Sequence, residues 1–155
     1  MINVDNMEDH MTRHLLREHC FKILFVLDFY PEEEMEIQID NYFESPSLED
    51  EEDTLIHDAN YSDGDIEYIK SKAMLVIERR LEIDQIISDL SQGWKLERIG
   101  RVERNILRLA IAEMKYDSDI PVSVAINEAV ELAKTFGRDE SYLFVNAILS
   151  KVKVE

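Results

Sequence analysis

The chain has 155 residues, 45% of them hydrophobic and 33% charged, with a net charge of −17. That is about one domain's worth of chain, with enough apolar residues for one sizeable core and no apolar run near the roughly 18 residues of a membrane-crossing helix. The charge is uneven: residues 1–60 hold 17 acidic and 3 basic side chains, net −14, and residues 61–155 hold 17 and 14, net −3. This excludes a uniformly basic nucleic-acid binder, so any RNA-binding surface must be a local patch.

Glycine and proline are scarce, and apolar residues recur at three and four positions rather than alternating, so the chain reads as helix throughout. Thr12 caps a first helix running to about Tyr30, with Leu16, Cys20, Ile23, Leu24 and Leu27 as its core face. Pro31 stops it. Pro31-Glu-Glu-Glu then opens a second helix, with carboxylates at the positive end of the helix dipole and Met35, Ile39, Tyr42 and Phe43 on one face, ending near Ser45-Pro46. Five consecutive acids, Glu49 to Asp53, read as a solvated loop; they lack the alternating ligands and the glycine of a calcium loop. Ser62-Asp-Gly-Asp65 is a capping box before a third helix. Arg79-Arg80 marks a break, a fourth helix continues to Leu90, and Gly93 suits the left-handed residue beyond its end. A fifth spans about Lys95 to Tyr116. Pro121 opens a sixth that Gly137 closes, and Ser141 caps a seventh from Tyr142 to about Lys151. The expected fold is a single all-α domain over residues 1–155, a bundle of about seven helices.

Chemistry-bearing motifs are few. There is no Gly-rich phosphate loop, no nucleophile elbow and no His-Glu-x-x-His, so neither an enzyme nor a cofactor is expected. His10 and His14 stand four apart but lack a third ligand at useful spacing, so no metal site is expected. Cys20, the lone cysteine, allows no internal disulfide and has apolar neighbours at Ile23 and Leu24, which favours packing over nucleophilic work. The acidic start, with Asp5, Glu8 and Asp9, does not resemble a secretory leader, and a reducing cytoplasm is the expected compartment.

Two stripes rise above this background. His14, Arg17, Phe21 and Phe25 follow one another at steps of three, four and four, beside the core face of the first helix. Cations interleaved with aromatic rings suit single-stranded RNA, the charges meeting phosphates and unstacked bases lying on the rings; alternatively, Phe21 and Phe25 are core residues of a helix buried on both sides. Arg98, Arg101, Arg104 and Arg108 form a basic stripe on the fifth helix, either a phosphate-binding face or a salt-bridged solvated one. Asn127, Glu128 and Asn146 interrupt apolar helical patterns and are expected to make buried hydrogen bonds that fix helix ends.

Pro121-Val-Ser-Val-Ala-Ile-Asn-Glu-Ala-Val-Glu-Leu-Ala-Lys-Thr-Phe-Gly137 followed by Phe144-Val-Asn-Ala-Ile-Leu149 resembles the NusB transcription antitermination family. Trp94-Lys-Leu-Glu-Arg-Ile99, Glu103-Arg-Asn-Ile-Leu-Arg-Leu-Ala-Ile-Ala-Glu113 and Thr12-Arg-His-Leu-Leu-Arg-Glu18 extend the resemblance to residues 12–152, around a variable segment at 31–62. The resemblance implies a helical protein without catalytic activity. Its partner would be the small-subunit ribosomal protein NusE, and together they would bind boxA RNA of nascent ribosomal transcripts and act on the RNA polymerase antitermination complex. Some family members self-associate, so a homodimer is open. By position, Arg13, Arg17 and Phe25 match the family's RNA-binding helix, to which the stripe adds His14 and Phe21. Glu140, Ser141 and Phe144 match a segment adjoining RNA and NusE. Phe25 stands where the family usually has tyrosine, and Ala147 where it usually has glycine. Two alternatives are a protein-interaction module of the same fold without RNA binding, and the RNA-recognition domain of a ribosomal RNA methyltransferase, although the α/β domain with its cofactor loop is missing from this sequence.

Overall fold

A computed structural model describes residues 11–44, 61–92 and 96–154. The described residues form seven α-helices and one 3-10 turn, with no strand among them: α1 Arg13–Leu27, α2 Glu32–Glu44, α3 Asp63–Glu78, α4 Arg80–Leu90, the turn Leu96–Arg98, α5 Arg101–Tyr116, α6 Val122–Phe136 and α7 Ser141–Leu149. The acidic run at 49–53, His10, Gly93 and Trp94 lie outside the described residues. Contacts group the chain into two compact units, residues 1–73 and 74–155, the division falling within α3.

In the first unit, α1 packs against α2. Thr12 takes an extended conformation and its hydroxyl accepts the Leu15 N–H at 3.1 Å, as the cap expectation requires. α1 stops at Leu27, three residues short of the expected Tyr30: the Asp28 N–H still donates to Leu24, but Phe29 and Tyr30 close tighter turns onto Val26 and Leu27 ahead of Pro31. Leu16, Cys20, Phe21, Ile23, Leu24 and Leu27 of α1 are buried, as are Met35 and Ile39 of α2 and Ile69 and Ala73 of α3. Beside them His19 shares a 2.8 Å hydrogen bond with the Tyr42 hydroxyl, and His19, Tyr42, Phe43 and Tyr61 meet edge to face. Burial first, then the neighbouring Tyr61, pushes the Tyr42 phenol well above its ordinary range.

α3 opens on the capping box. The Asp65 N–H donates to the Ser62 hydroxyl at 3.0 Å, and the Ser62 N–H to the Asp65 carboxylate at 3.2 Å. The break at Arg79 is real but slight, since Arg79 still donates to Leu75 and accepts from Ile83.

In the second unit, α5 packs against α4, α6 and α7, and its residues 105–114 are buried without interruption. The expected helix from Lys95 is split. Gly100 is extended (φ −56°, ψ 148°), which separates the 3-10 turn from α5 and lets the Gly100 carbonyl accept the Arg104 N–H. The left-handed residue after α4 is Gln92, at φ 53°. Asn127 and Asn146 are exposed, which corrects the expectation of buried hydrogen bonds at those two positions, and Glu128 is half-buried; the small residues Ala125, Ala129 and Ala133 form the buried face of α6. Ala147 also faces solvent, where a methyl group in place of hydrogen meets no packing constraint.

Candidate nucleic-acid interface

The stripe on α1 divides by burial. Arg13 and His14, in the first turn, are exposed, and His14 Nε2 lies 3.1 Å from the Glu18 carboxylate one turn on. Arg17 is 4% exposed and Phe21 3%, so these two belong to the interior rather than to an open binding face. The helix is buried over a wider arc than its five-residue core face implied, because His19, Arg17 and Phe21 are covered as well. Phe25 is half-buried, and its ring leads outward from Phe21 at 6.2 Å to Phe29 at 5.5 Å, where Phe29 is 58% exposed. An open aromatic pair, Phe25 and Phe29, therefore ends the stripe. The sequence analysis did not single out Phe29, although it continues the same spacing of four within the helix expected to reach Tyr30; the structure places it just beyond the end of α1.

The first turn is held from α3. The Met11 N–H donates to both oxygens of Asp65 at 3.3 Å, and the Asp65 side chain is buried. One turn along, the Arg13 guanidinium lies 5.4 Å from the centre of the Tyr68 ring, and the Lys72 ammonium 5.3 Å from the same centre.

The arginine stripe also divides. Arg108 is buried and grips Asp84 with two parallel hydrogen bonds, Nε to Oδ1 at 2.8 Å and a terminal nitrogen to Oδ2 at 3.0 Å, while donating to Asn105 at 3.2 Å. Arg104 is half-buried and donates to the Leu96 carbonyl at 3.3 Å. These two tie α5 to α4 and to the 3-10 turn. Arg98 and Arg101 are exposed, so the stripe is structural at its Arg104 and Arg108 end and solvent-facing at the other.

Glu140, Ser141 and Phe144 come together at a cavity of about 330 Å³, shared with Arg98, Ile99, Gly100, Glu103, Arg138 and Asp139. The turn that makes it is tightly specified. A Cβ on Gly137 would stand 2.7 Å from the Ala133 carbonyl oxygen and 2.7 Å from the Ser141 Cβ, so α6 closes onto the start of α7 only with glycine there. Glu140 takes a left-handed conformation, φ 71°. Ser141 does not cap α7 as expected; it is the first helical residue. Its hydroxyl accepts the Arg138 N–H at 3.0 Å and donates to the Glu103 carboxylate, which locks the turn to α5. Phe144 presents a half-buried ring to a cavity rimmed by charges of both signs. Such a site takes a flat apolar group flanked by polar atoms, as a nucleobase or a peptide side chain provides. No group of three or more histidine, cysteine or acidic residues able to hold a metal occurs among the described residues, nor does a helix long and apolar enough to cross a membrane.

Residues 14–153 match the model of the NusB family. Among similar proteins is a transcription antitermination protein NusB of Lachnoclostridium phytofermentans, 43% identical over 143 residues, covering 92% of this chain and 98% of that one. Its counterpart in Agathobacter rectalis is 42% identical and covers 91% and 98%. Among solved structures, T. maritima NusB superposes with a TM-score of 0.76 at 32% identity, over 92% of this chain and 90% of that one. A chain of a complex of antitermination factors NusB and NusE with double-stranded RNA gives 0.64 at 25%, over 90% and 96%. With a match that runs through α1 and the α6–α7 turn alike, this all-α chain belongs to the NusB family.

Proposed function

We propose that this chain is a transcription antitermination factor that pairs with NusE, binds boxA-type single-stranded RNA of nascent ribosomal transcripts and works in the RNA polymerase antitermination complex. The observation that carries the reading is the pair of exposed features that α1 presents: a cation, Arg13, in its first turn, and an aromatic pair, Phe25 in its last turn and Phe29 just beyond it, in a family whose members are antitermination proteins. Arg13 and His14 contact phosphate, and Phe25 stacks a base. Arg17 and Phe21 act from beneath, holding the helix rather than touching RNA. The Phe144 cavity, with Glu140 and Ser141, takes the partner. The binding role needs no catalytic group and no cofactor.

Net charge favours a second reading for the isolated chain. A field of −17 repels RNA and attracts a basic ribosomal protein, so the chain alone binds RNA weakly and the NusE pair binds it well. Fluorescence anisotropy of labelled boxA RNA, titrated with the chain alone and with the NusE pair over a range of salt, separates the two. Affinity that appears with NusE and falls steeply with salt supports antitermination by RNA binding. NusE binding without any RNA affinity leaves the interaction-module reading standing in its place. Sedimentation of the chain alone measures whether a homodimer competes with the pair.

A further inference from the structure

α3 presents Asp65, Tyr68 and Lys72 at steps of three and four, so all three lie on one face of that helix, and this face receives the start of α1. The three side chains act on different parts of the same segment. Asp65 is 2% exposed and takes the Met11 N–H on both carboxylate oxygens, which fixes the backbone just before the Thr12 cap. Its other bond, from the Ser62 N–H, makes the same carboxylate part of the α3 cap, so one group sets the position of two helix starts. Tyr68 holds the Arg13 guanidinium over its ring at 5.4 Å. Among the described residues no ion pair takes up that guanidinium. A cation–π contact holds the guanidinium through its charge and takes up none of its N–H donors, which stay available to an anion. Lys72, 5.3 Å from the same ring centre, adds a second positive charge in a unit that is otherwise strongly acidic.

We infer that Tyr68 is a positioning residue for RNA binding: its ring pre-orders the Arg13 guanidinium so that the donor edge faces a phosphate, while Asp65 anchors the backbone that carries Arg13. The inference rests on the reading of α1 as the RNA-binding helix and adds a role for α3. An arginine that would otherwise lose rotamer freedom on meeting RNA is already ordered, and the ring costs it none of the donors a phosphate requires.

A double-mutant cycle in the full chain with NusE tests it, read by anisotropy with a short boxA RNA at several salt concentrations. Tyr68→Leu removes the ring and is expected to weaken binding about two- to fivefold, the scale of an exposed cation–π contact. Tyr68→Phe keeps the ring and is expected to bind as the parent does. In an Arg13→Ala background, Tyr68→Leu is expected to change nothing further, which a mere loss of packing does not predict. Equal losses from Tyr68→Leu in both backgrounds, or failure of Tyr68→Phe to restore binding, overturn the positioning role. If Arg13→Ala weakens binding and lowers the salt slope by about 0.7, one single-strand phosphate contact, but Tyr68→Leu has no effect, the inference fails and the reading of α1 survives. If Arg13→Ala leaves affinity and slope unchanged, the reading of Arg13 as a phosphate contact fails, and the inference falls with it.

Discussion

Phe21 and Phe25 are one helical turn apart and face different fates. Phe21 is 3% exposed, and truncating it to alanine removes a ring from a packed interior, so Phe21→Ala is expected to lose about 3 to 5 kcal/mol of folding stability. Phe25 is half-buried, with its ring leading to exposed Phe29, and Phe25→Ala is expected to cost RNA binding on the order of 1 to 3 kcal/mol with an unchanged salt slope. Thermal melts and RNA titrations of the two variants check both expectations. A Phe25→Ala protein that binds RNA normally and melts much earlier defeats the stacking role. Tyr42 gives a separate expectation in alkali. Its phenol holds its proton above the ordinary value of 10.0, so between that value and its own the unfolded chain has lost a proton that the folded chain keeps. Stability is therefore fully present below about pH 10 and falls as pH rises beyond it. Tyr42→Phe is expected to flatten this alkaline decline, measured as the melting temperature from pH 8 to 11, although it also gives up the hydrogen bond to His19.

At the scale of elements, junctions carry more specification than helix interiors. The Ser62–Asp65 box and the Thr12 cap were legible because their signals are local, a hydroxyl and an acid at fixed spacing. The place of the turn between Gly137 and Ser141 was legible too, but the split at Gly100 and the role of Ser141 were not, because the apolar period of α5 runs through Ile99 without a gap and Ser141 looks like a cap. Its hydroxyl is committed instead to Arg138 and Glu103, and no local pattern reports a bond between residues 38 apart. The turn is also sterically constrained by backbone and side chain together. Gly137→Ala places a methyl against the Ala133 carbonyl and the Ser141 side chain, and is expected to cost about 1 to 3 kcal/mol. Because it displaces the turn that carries Glu140 and leads into α7 with Phe144, it is expected to weaken NusE binding while leaving the helical circular dichroism at low temperature unchanged; calorimetry and a pull-down with NusE measure the two effects.

For the whole molecule the governing quantity is charge. Five of the acids responsible for the −17 are consecutive in the sequence, Glu49 to Asp53, and like charges of that kind offer RNA only repulsion. Deleting those five residues is expected to leave NusE binding within a factor of a few and RNA binding no weaker than before. Isothermal titration with NusE is the measurement, and a large loss of NusE affinity shows the run to be a docking segment instead.

Caps, prolines and three-four periodicity act over a single turn, so the all-α class and the place where most of the described helices begin and end could be read from the sequence, and its longest motifs carried the resemblance to the NusB family. Within α1 it also determined the inner face from Leu16 to Leu27. Only the tertiary structure decided which members of each polar or aromatic stripe are open. Arg17 and Phe21 continue the spacing of His14 and Phe25 yet are buried, and Arg108 continues the spacing of Arg101 yet is spent on Asp84. Spacing fixes the direction in which a side chain leaves its helix, whereas exposure depends on what other elements bring up against that direction. The contacts that give Arg13 its setting, Asp65 and Tyr68, come from a helix more than 50 residues along the chain, a distance at which periodicity carries no information.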